Sequence, residues 1–327
     1  MPAVAPTAQA GIKKQQEQSD NVEAVASLSG SFYNSHRNIP TMILITDSGS
    51  TKADWALIDH GRCVSRIQTC GFNPYMQTTD DMACKLKDSA LQKIADRGIN
   101  HLWFYGAGCT PGDKSDSVAT ALKAVFGTEC KIEVLSDMVG AARALCQHSE
   151  GIACILGTGS NSCLYNGREI VANVPPLGFI LGDEGSGAYL GKLLVGNVLK
   201  GQMAKEVASR FFEEVGMDSA DIINRVYRQP FPNRWLASLA PFIHRNLDHK
   251  DIRNMVGSAF TAFFQRNVTN YNRPDLPVNC VGSIAHYYRE IIVEAATSLG
   301  LTIGTIMQSP IEGLIEYHKD TSGETEN

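Results

Sequence analysis

No two of the nine cysteines (63, 70, 84, 109, 130, 146, 154, 163 and 280) stand in a CxxC pair, and no histidine pair has finger spacing. An odd, scattered set of this kind argues against a disulfide framework, a zinc site or a ligated cluster. It reads as small buried hydrophobes in a reducing, cytoplasmic compartment. Basic clusters are also missing. With 29 Lys and Arg against 34 Asp and Glu, the net charge is −5 and the pI about 5.9, so no nucleic-acid backbone partner is expected. No apolar run reaches spanning length, so no membrane partner is expected either. Residues 1–41 are polar and have no apolar h-region, which argues against a secretory signal and reads as a flexible extension. Met42 could itself be an alternative start.

The 327 residues suffice for two ordinary domains or one large one, and 43% hydrophobic against 19% charged residues allows a sizeable core. From Met42 the pattern alternates. "MILIT", "DWALI" and "CVSRI" read as strands around the turn His60-Gly61. A helix is predicted over 79–97 with Gly98 as its stop, then the strand "HLWFY", a helix over 115–126 ended by Gly127, the strand "KIEVL", and a helix over 138–146. The theme then returns: "IACIL" runs into a glycine-rich loop, and "CLY", Asn166-Gly167 and "REIVA" form a second hairpin. Residues 185–270 read as mostly helical. "VNCVGSIAHYYREII" follows as strand, tight turn and helix, then the strand "TIGTIMQ" and a short helix over 311–318. Such alternation favours α/β layers with mixed sheets.

The two loops, DSGSTK near residue 50 and LGTGSNS near residue 160, each follow an apolar strand. Each reads alone either as a tight hairpin connection or as a cradle in which backbone N–H groups converge on an anion. Neither is GxxxxGK[ST], and neither is GxGxxG opening a helix, so Walker-type and Rossmann sites are disfavoured.

DSGSTK, Asp137 in "LSDMVGAA", LGTGSNS and "VGSIA" near residue 282 come in the order of the phosphate loops, connecting segment and adenosine loop of the actin, sugar kinase and Hsp70 superfamily. "GTGSNS" followed by "GFILGDEGSGAYLG" resembles, more narrowly, the N-acetylglucosamine kinase branch of the BadF/BcrA-type ATPases, and the likeness runs from Met42 to about His318. It implies an α/β fold of two actin-like (ribonuclease H-like) domains around an ATP and sugar cleft. The first would span 42–148 with a C-terminal helix at 309–320 packed back on it, and the second 149–308. It implies ATP and Mg²⁺ as cofactors, an amino sugar as substrate and a possible homodimer.

Carried over residue by residue, the resemblance puts Asp47, Gly49, Ser50 and Thr51 at the first phosphate loop, with Asp47 beside the metal. Gly157, Thr158, Gly159 and Ser160 would form the second loop, and Gly282 with Ser283 the adenosine turn. Asn73, Gly178 and Asp183 would bind the sugar, and Asp137 would approach its reacting hydroxyl. The family often reads Gly-Trp where this chain has Pro176-Leu177, a departure that bears on sugar specificity.

The chemistry is sensible apart from the family. Phosphoryl transfer needs positioning and charge neutralisation, and the attacking hydroxyl needs a proton acceptor, which a strand-end carboxylate supplies. The plainer readings stand beside these. Asp137 could cap the helix starting at Met138. Asp183 and Asn73 could be turn residues. Glu184 could reach the sugar or be a first-turn acid. Lys52 and Asp54 could assist or simply be solvated charges flanking the hairpin. The pairs Phe211-Phe212, Phe263-Phe264 and Tyr287-Tyr288 read as packing residues. Other amino sugars (N-acetylmuramic acid, glucosamine, N-acetylmannosamine) are the nearest alternatives as substrate. An activator ATPase of a 2-hydroxyacyl-CoA dehydratase and a sugar-sensing regulator are more distant ones.

Overall fold

The computed structural model describes residues 42–49 and 51–320, which belong to one compact unit. The expected extension over 1–41 and Ser50 lie outside the described residues. Two five-stranded sheets organise the chain. The first contains β1 (Met42–Ser48), β2 (Lys52–Asp59), β3 (Arg62–Cys70), β4 (His101–Gly106) and β5 (Lys131–Ser136), in the order β3-β2-β1-β4-β5. The second contains β6 (Glu150–Leu156), β7 (Ser160–Asn166), β8 (Ile170–Val174), β9 (Val278–Val281) and β10 (Ile303–Met307), in the order β8-β7-β6-β9-β10. The two orders are the same, third-second-first-fourth-fifth, and each sheet has an antiparallel three-strand meander on one side and parallel strands on the other.

In the first sheet the period-2 alternation separates two cores. Leu44, Trp55, Leu57 and Phe104 pack against α1 (Thr79–Lys87), α2 (Gln92–Ala95) and α3 (Asp113–Phe126). Ile45, Ala56, Ile58 and Tyr105 face the opposite side, where Ala144 of α4 (Asp137–Cys146) meets residues from the end of the chain. The helix expected over 79–97 is broken in two. Ser89 Oγ donates to Leu86 O at 2.6 Å and accepts from Leu91 N at 3.2 Å, so its hydroxyl competes with the helical ladder. The first hairpin closes on His60 and Gly61 with φ of 46° and 74°, the left-handed pair a two-residue turn requires. The second does not use Asn-Gly in that way. Asn166 opens a longer turn whose Oδ1 accepts from Arg168 N and Glu169 N, both at 2.9 Å.

Between β8 and β9 run α5 (Gly178–Leu181), α6 (Gly187–Leu199), α7 (Lys205–Val215), α8 (Ser219–Tyr227), α9 (Pro232–Ala237), α10 (Ala240–Arg245) and α11 (Lys250–Arg266). Phe211, Phe260, Phe263 and Phe264 fill the large core they share with the second sheet. After β9 come α12 (Ser283–Tyr287) and α13 (Arg289–Ser298), and after β10 the last helix, α14 (Ile311–Asp320). The chain crosses between the sheets twice. Helix α4 packs on β5 and β4 of one and on β6, β7 and β9 of the other, whereas α14 leaves β10 and returns to β1, β2 and α4. At that return Gly313 lies so close to α4 that a Cβ would stand 2.4 Å from Ala144 O. Among the described residues no helix is long and apolar enough to cross a membrane.

Candidate active site

The parallel strands β1, β4 and β5 of one sheet and β6, β9 and β10 of the other send their carboxyl ends to one cleft of about 1180 Å³. Open α/β sheets bind ligands at this end. From the first sheet the cleft takes Asp47, Gly49 and Thr51, with Asp137 at the start of α4. From the second it takes Gly157, Thr158, Gly159 and Ser160, with Gly282 and Ser283 after β9.

Strand periodicity clusters the acidic groups. Asp47 pairs in register with Asp54 on β2, and both fall on the face of Ile45, Ala56 and Tyr105, toward α4. Burial first, then the nearby charges of Asp137 and Asp54, push the Asp47 carboxyl up to about 7, against a smaller opposing pull from Lys52. Lys52 itself pairs with Asp54 at 2.9 Å, and both residues line the cleft. Burial also raises Asp137, opposed by its hydrogen bond from Met138 N at 2.9 Å. The capping task falls elsewhere: Ser136 is the N-cap, its Oγ accepting from Val139 N at 3.3 Å, and Asp137 is the first helical residue.

The second loop is held from behind. Gly157 O accepts from Gly187 N at 2.8 Å and Thr158 O from Ala188 N at 3.1 Å, so the opening amides of α6 bind the loop's carbonyls. Ser160 N donates to Asp183 Oδ1 at 3.3 Å. The Thr158 and Gly159 amides take no part in these bonds. Gly282 approaches the same loop, and a Cβ there would lie 2.2 Å from Leu156 O at a φ of 125°, which only glycine accommodates. The first loop is braced by Phe72 N donating to Ser48 Oγ at 3.0 Å, Ala107 N to Ser48 O at 2.9 Å and Gly71 N to Thr51 O at 2.9 Å.

The three remaining residues adjoin the cleft and are not on its wall. The Asn73 side chain borders Gly108, a lining residue: a Cβ on Gly108 would be 3.0 Å from Asn73 Oδ1. Asp183, at a φ of 54°, reaches the second loop through Ser160, and burial raises its carboxyl. Gly178 begins α5 two residues after Pro176, which lines the cleft. Glu184 is not available to a ligand in this arrangement. It is buried, ion-paired with Arg266 at 3.0 Å, and precedes the N-cap Ser186 instead of standing in the helix's first turn.

Other lining residues were not evident from sequence. Ser309, just past β10, has a buried hydroxyl with no hydrogen-bond partner among the described residues, and Arg66, Asn233 and Arg234 bring further polar groups. A second pocket of about 440 Å³ opens beside Thr158 and Ser283 and is lined by Ala240, Pro241, His244 and Tyr287. Tyr287 and Tyr288 both line this pocket but differ in exposure: Tyr288 is core at 2%, while Tyr287 is 56% exposed. No motif marks these positions, because they come from helices distant in sequence. The buried cysteines behave as hydrophobes, with desolvation pushing the Cys163 thiol up to about 12.

No family profile and no curated protein matches the chain. Solved structures do. A candidate N-acetylglucosamine kinase from Porphyromonas gingivalis is 52% identical, with a TM-score of 0.82 over 85% of this chain and 99% of its own. A candidate N-acetylglucosamine kinase from Chromobacterium violaceum is 15% identical, with a TM-score of 0.66 over 85% and 99%. A ROK family glucokinase from Streptomyces griseus, in complex with glucose and AMPPNP, is 13% identical with a TM-score of 0.54 over 85% and 98%. The two distant structures share the fold. Together with the cleft between duplicated sheets, these matches define an actin-like sugar kinase. With 52% identity along nearly the whole of its Porphyromonas relative, the chain belongs to the N-acetylglucosamine kinase family.

Proposed function

We propose that the protein transfers the γ-phosphoryl group of ATP to the primary hydroxyl of N-acetylglucosamine, giving N-acetylglucosamine 6-phosphate and ADP in cytoplasmic amino-sugar metabolism. The observation that carries this reading is the position of Asp137. Asp137 lines the same cleft as the two glycine-rich loops, one from each sheet. The Thr51 and Thr158 loops hold the phosphates, and the Gly282-Ser283 turn, with the pocket of His244 and Tyr287, takes the nucleoside end. Asn73 and Asp183 bind the sugar edge beside Gly178. Asp137 accepts the proton of the attacking oxygen as the O–P bond forms and the bond to ADP breaks. Burial suits Asp137 to this role, because a raised carboxyl is a better proton acceptor.

The acidic corner fits a divalent cation. Asp47 is held near 7 by desolvation and by two neighbouring carboxylates, a charge deficit that Mg²⁺ would offset. Among the described residues no three His, Cys, Asp or Glu side chains are arranged to hold a metal by themselves, so the ion would take most ligands from phosphate and water, with Asp47 beside it. When bound, Mg²⁺ supplies charge neutralisation at the phosphates.

The test is a panel of N-acetylglucosamine, N-acetylmannosamine, N-acetylmuramic acid and glucosamine with ATP and Mg²⁺, read by ADP release. N-acetylglucosamine should give the highest kcat/KM. If no sugar stimulates release above the sugar-free background, the reading fails. The homodimer implied by the resemblance belongs to the same reading, and light scattering checks it.

A further inference from the structure

A pyranose presents two kinds of surface: a polar edge of hydroxyls and an apolar face of C–H groups. Asn73, Asp137 and Asp183 suit the edge, and nothing assigned so far suits the face. Trp55 lines the main cleft but is 1% exposed, with its ring against Phe72 at 6.4 Å and its Nε1 donating to Thr69 Oγ1. Its ring belongs to the core. Tyr75, two residues after Asn73, is the reverse case. It is 63% exposed, yet its surroundings fix its position.

Three features hold it. The Asn73 side chain accepts from Tyr75 N at 3.0 Å, and Asn73 O accepts from Met76 N and Gln77 N at 3.0 and 3.1 Å, so Tyr75 is inside a closed turn. Lys114 of α3 donates to Pro74 O at 3.1 Å and sets its ammonium 4.6 Å from the Tyr75 ring centroid. Gly108, on the cleft wall with φ of 77°, leaves room for the ring edge: a Cβ there would meet Tyr75 Cδ2 at 3.0 Å and Asn73 Oδ1 at the same distance. The ring and the Asn73 amide thus share one neighbour, and that neighbour lines the cleft. An exposed aromatic ordered in advance by its own loop loses little freedom when it takes a ligand.

We propose that Tyr75 is the platform for the apolar face of the sugar ring, with Lys114 as the residue that positions it. The proposal rests on the kinase reading for the nature of the ligand, and it makes a separable claim about where the sugar's face lies. Tyr75→Ala should raise the KM for N-acetylglucosamine at least tenfold, leaving the KM for ATP and kcat within about twofold. Tyr75→Phe should behave as wild type, since the ring and not the hydroxyl is used. Lys114→Met should raise the sugar KM by a smaller factor. Sugar binding followed by titration calorimetry, without ATP, gives a readout independent of turnover. An unchanged sugar KM in Tyr75→Ala overturns the proposal, as does Tyr75→Phe losing as much as Tyr75→Ala. If the wild type binds the sugar in a Tyr75-dependent way but releases no ADP, the platform stands and the kinase reading falls. If it binds no amino sugar at all, both fall.

Discussion

The two sheets have the same strand order and opposite chemistry. The first brings the carboxylates of Asp47, Asp54 and Asp137 to the cleft, where burial first and then the other two hold Asp47 near 7. The second brings backbone amides and hydroxyls, in a loop whose carbonyls are bound by the start of α6. A duplicated frame aims two loops at one point, and the difference between the loops gives each half its task. On the proposed reading both loops hold phosphate, and the acidic half adds the proton acceptor and a place for a cation.

The sharpest way to break this division is at Asp137. Asp137→Asn keeps the shape of the acidic half but removes its proton acceptor, so the rate constant should fall by about 10²–10⁴-fold with ATP affinity little changed. Single-turnover kinetics beside nucleotide titration checks it, and a folded variant with wild-type turnover removes Asp137 from the mechanism. The neutral half should fail differently. In Gly282→Ala the new methyl would meet Leu156 O, so the second loop must shift. The KM for ATP should rise by on the order of tenfold, about 1.4 kcal/mol, with the sugar KM less affected.

A third test sharpens the comparison through stability. The Asp47 carboxyl is raised by folding, so between its unfolded value near 4 and about 7 the native state holds more protons than the unfolded one. In nucleotide-free protein Asp47 therefore contributes a loss of stability as pH rises through that window, read as the difference from a variant without it. Asp47→Asn should reduce the loss, leaving the part due to the raised Asp137 and Asp183, and raise Tm at pH 8 by about 2–4 °C, while lowering turnover. Scanning calorimetry from pH 5 to 8 compares the two proteins; a wild-type Tm that climbs over this range with the Asn variant unchanged would contradict it.

The smallest effect is expected away from the cleft. His318 Nε2 on α14 shares a hydrogen bond of 2.8 Å with the Tyr105 hydroxyl, and the ring is held down to about 3, mainly by burial and then by Arg143 and His101. The unfolded histidine takes its proton near 6.5, so stability is lost as pH falls from there toward 3. His318→Gln should make the acid limb of Tm against pH shallower, and an unchanged slope would exclude this residue.

Much of this division was legible in the residues. "MILIT" and "IACIL" are apolar because both faces of their sheets are covered, and the small polar residues after them mark where the chain turns at the cleft. Asp137 was ambiguous for a local reason. A carboxylate before a helix resembles a cap, and only the structure shows Ser136 taking that place. The broken helix at Ser89 was missed because its apolar period continues through the break, while a hydroxyl's competition for backbone groups leaves no periodic trace. Ser309, Arg234 and Tyr287 reach the cleft region from separate elements, so their meeting is a property of packing and not of any short motif.

The return of α14 to the first sheet has a consequence for how the chain is made. Ile311, Leu314 and Ile315 complete the core around Ile45, Ile58 and Tyr105, so one face of the first sheet, partly covered by Ala144 and Val139 of α4, lacks the rest of its cover until α14 is translated. At about 5–20 residues per second, that face waits on the order of ten seconds after its strands emerge. During this interval the whole second sheet and its helices are synthesised and can fold on their own core, whereas the first to be translated is the last to be closed. Exposed apolar surface of this kind is what makes folding intermediates prone to aggregate, so a chain cut before Ile311 is expected to be less soluble than one that carries α14.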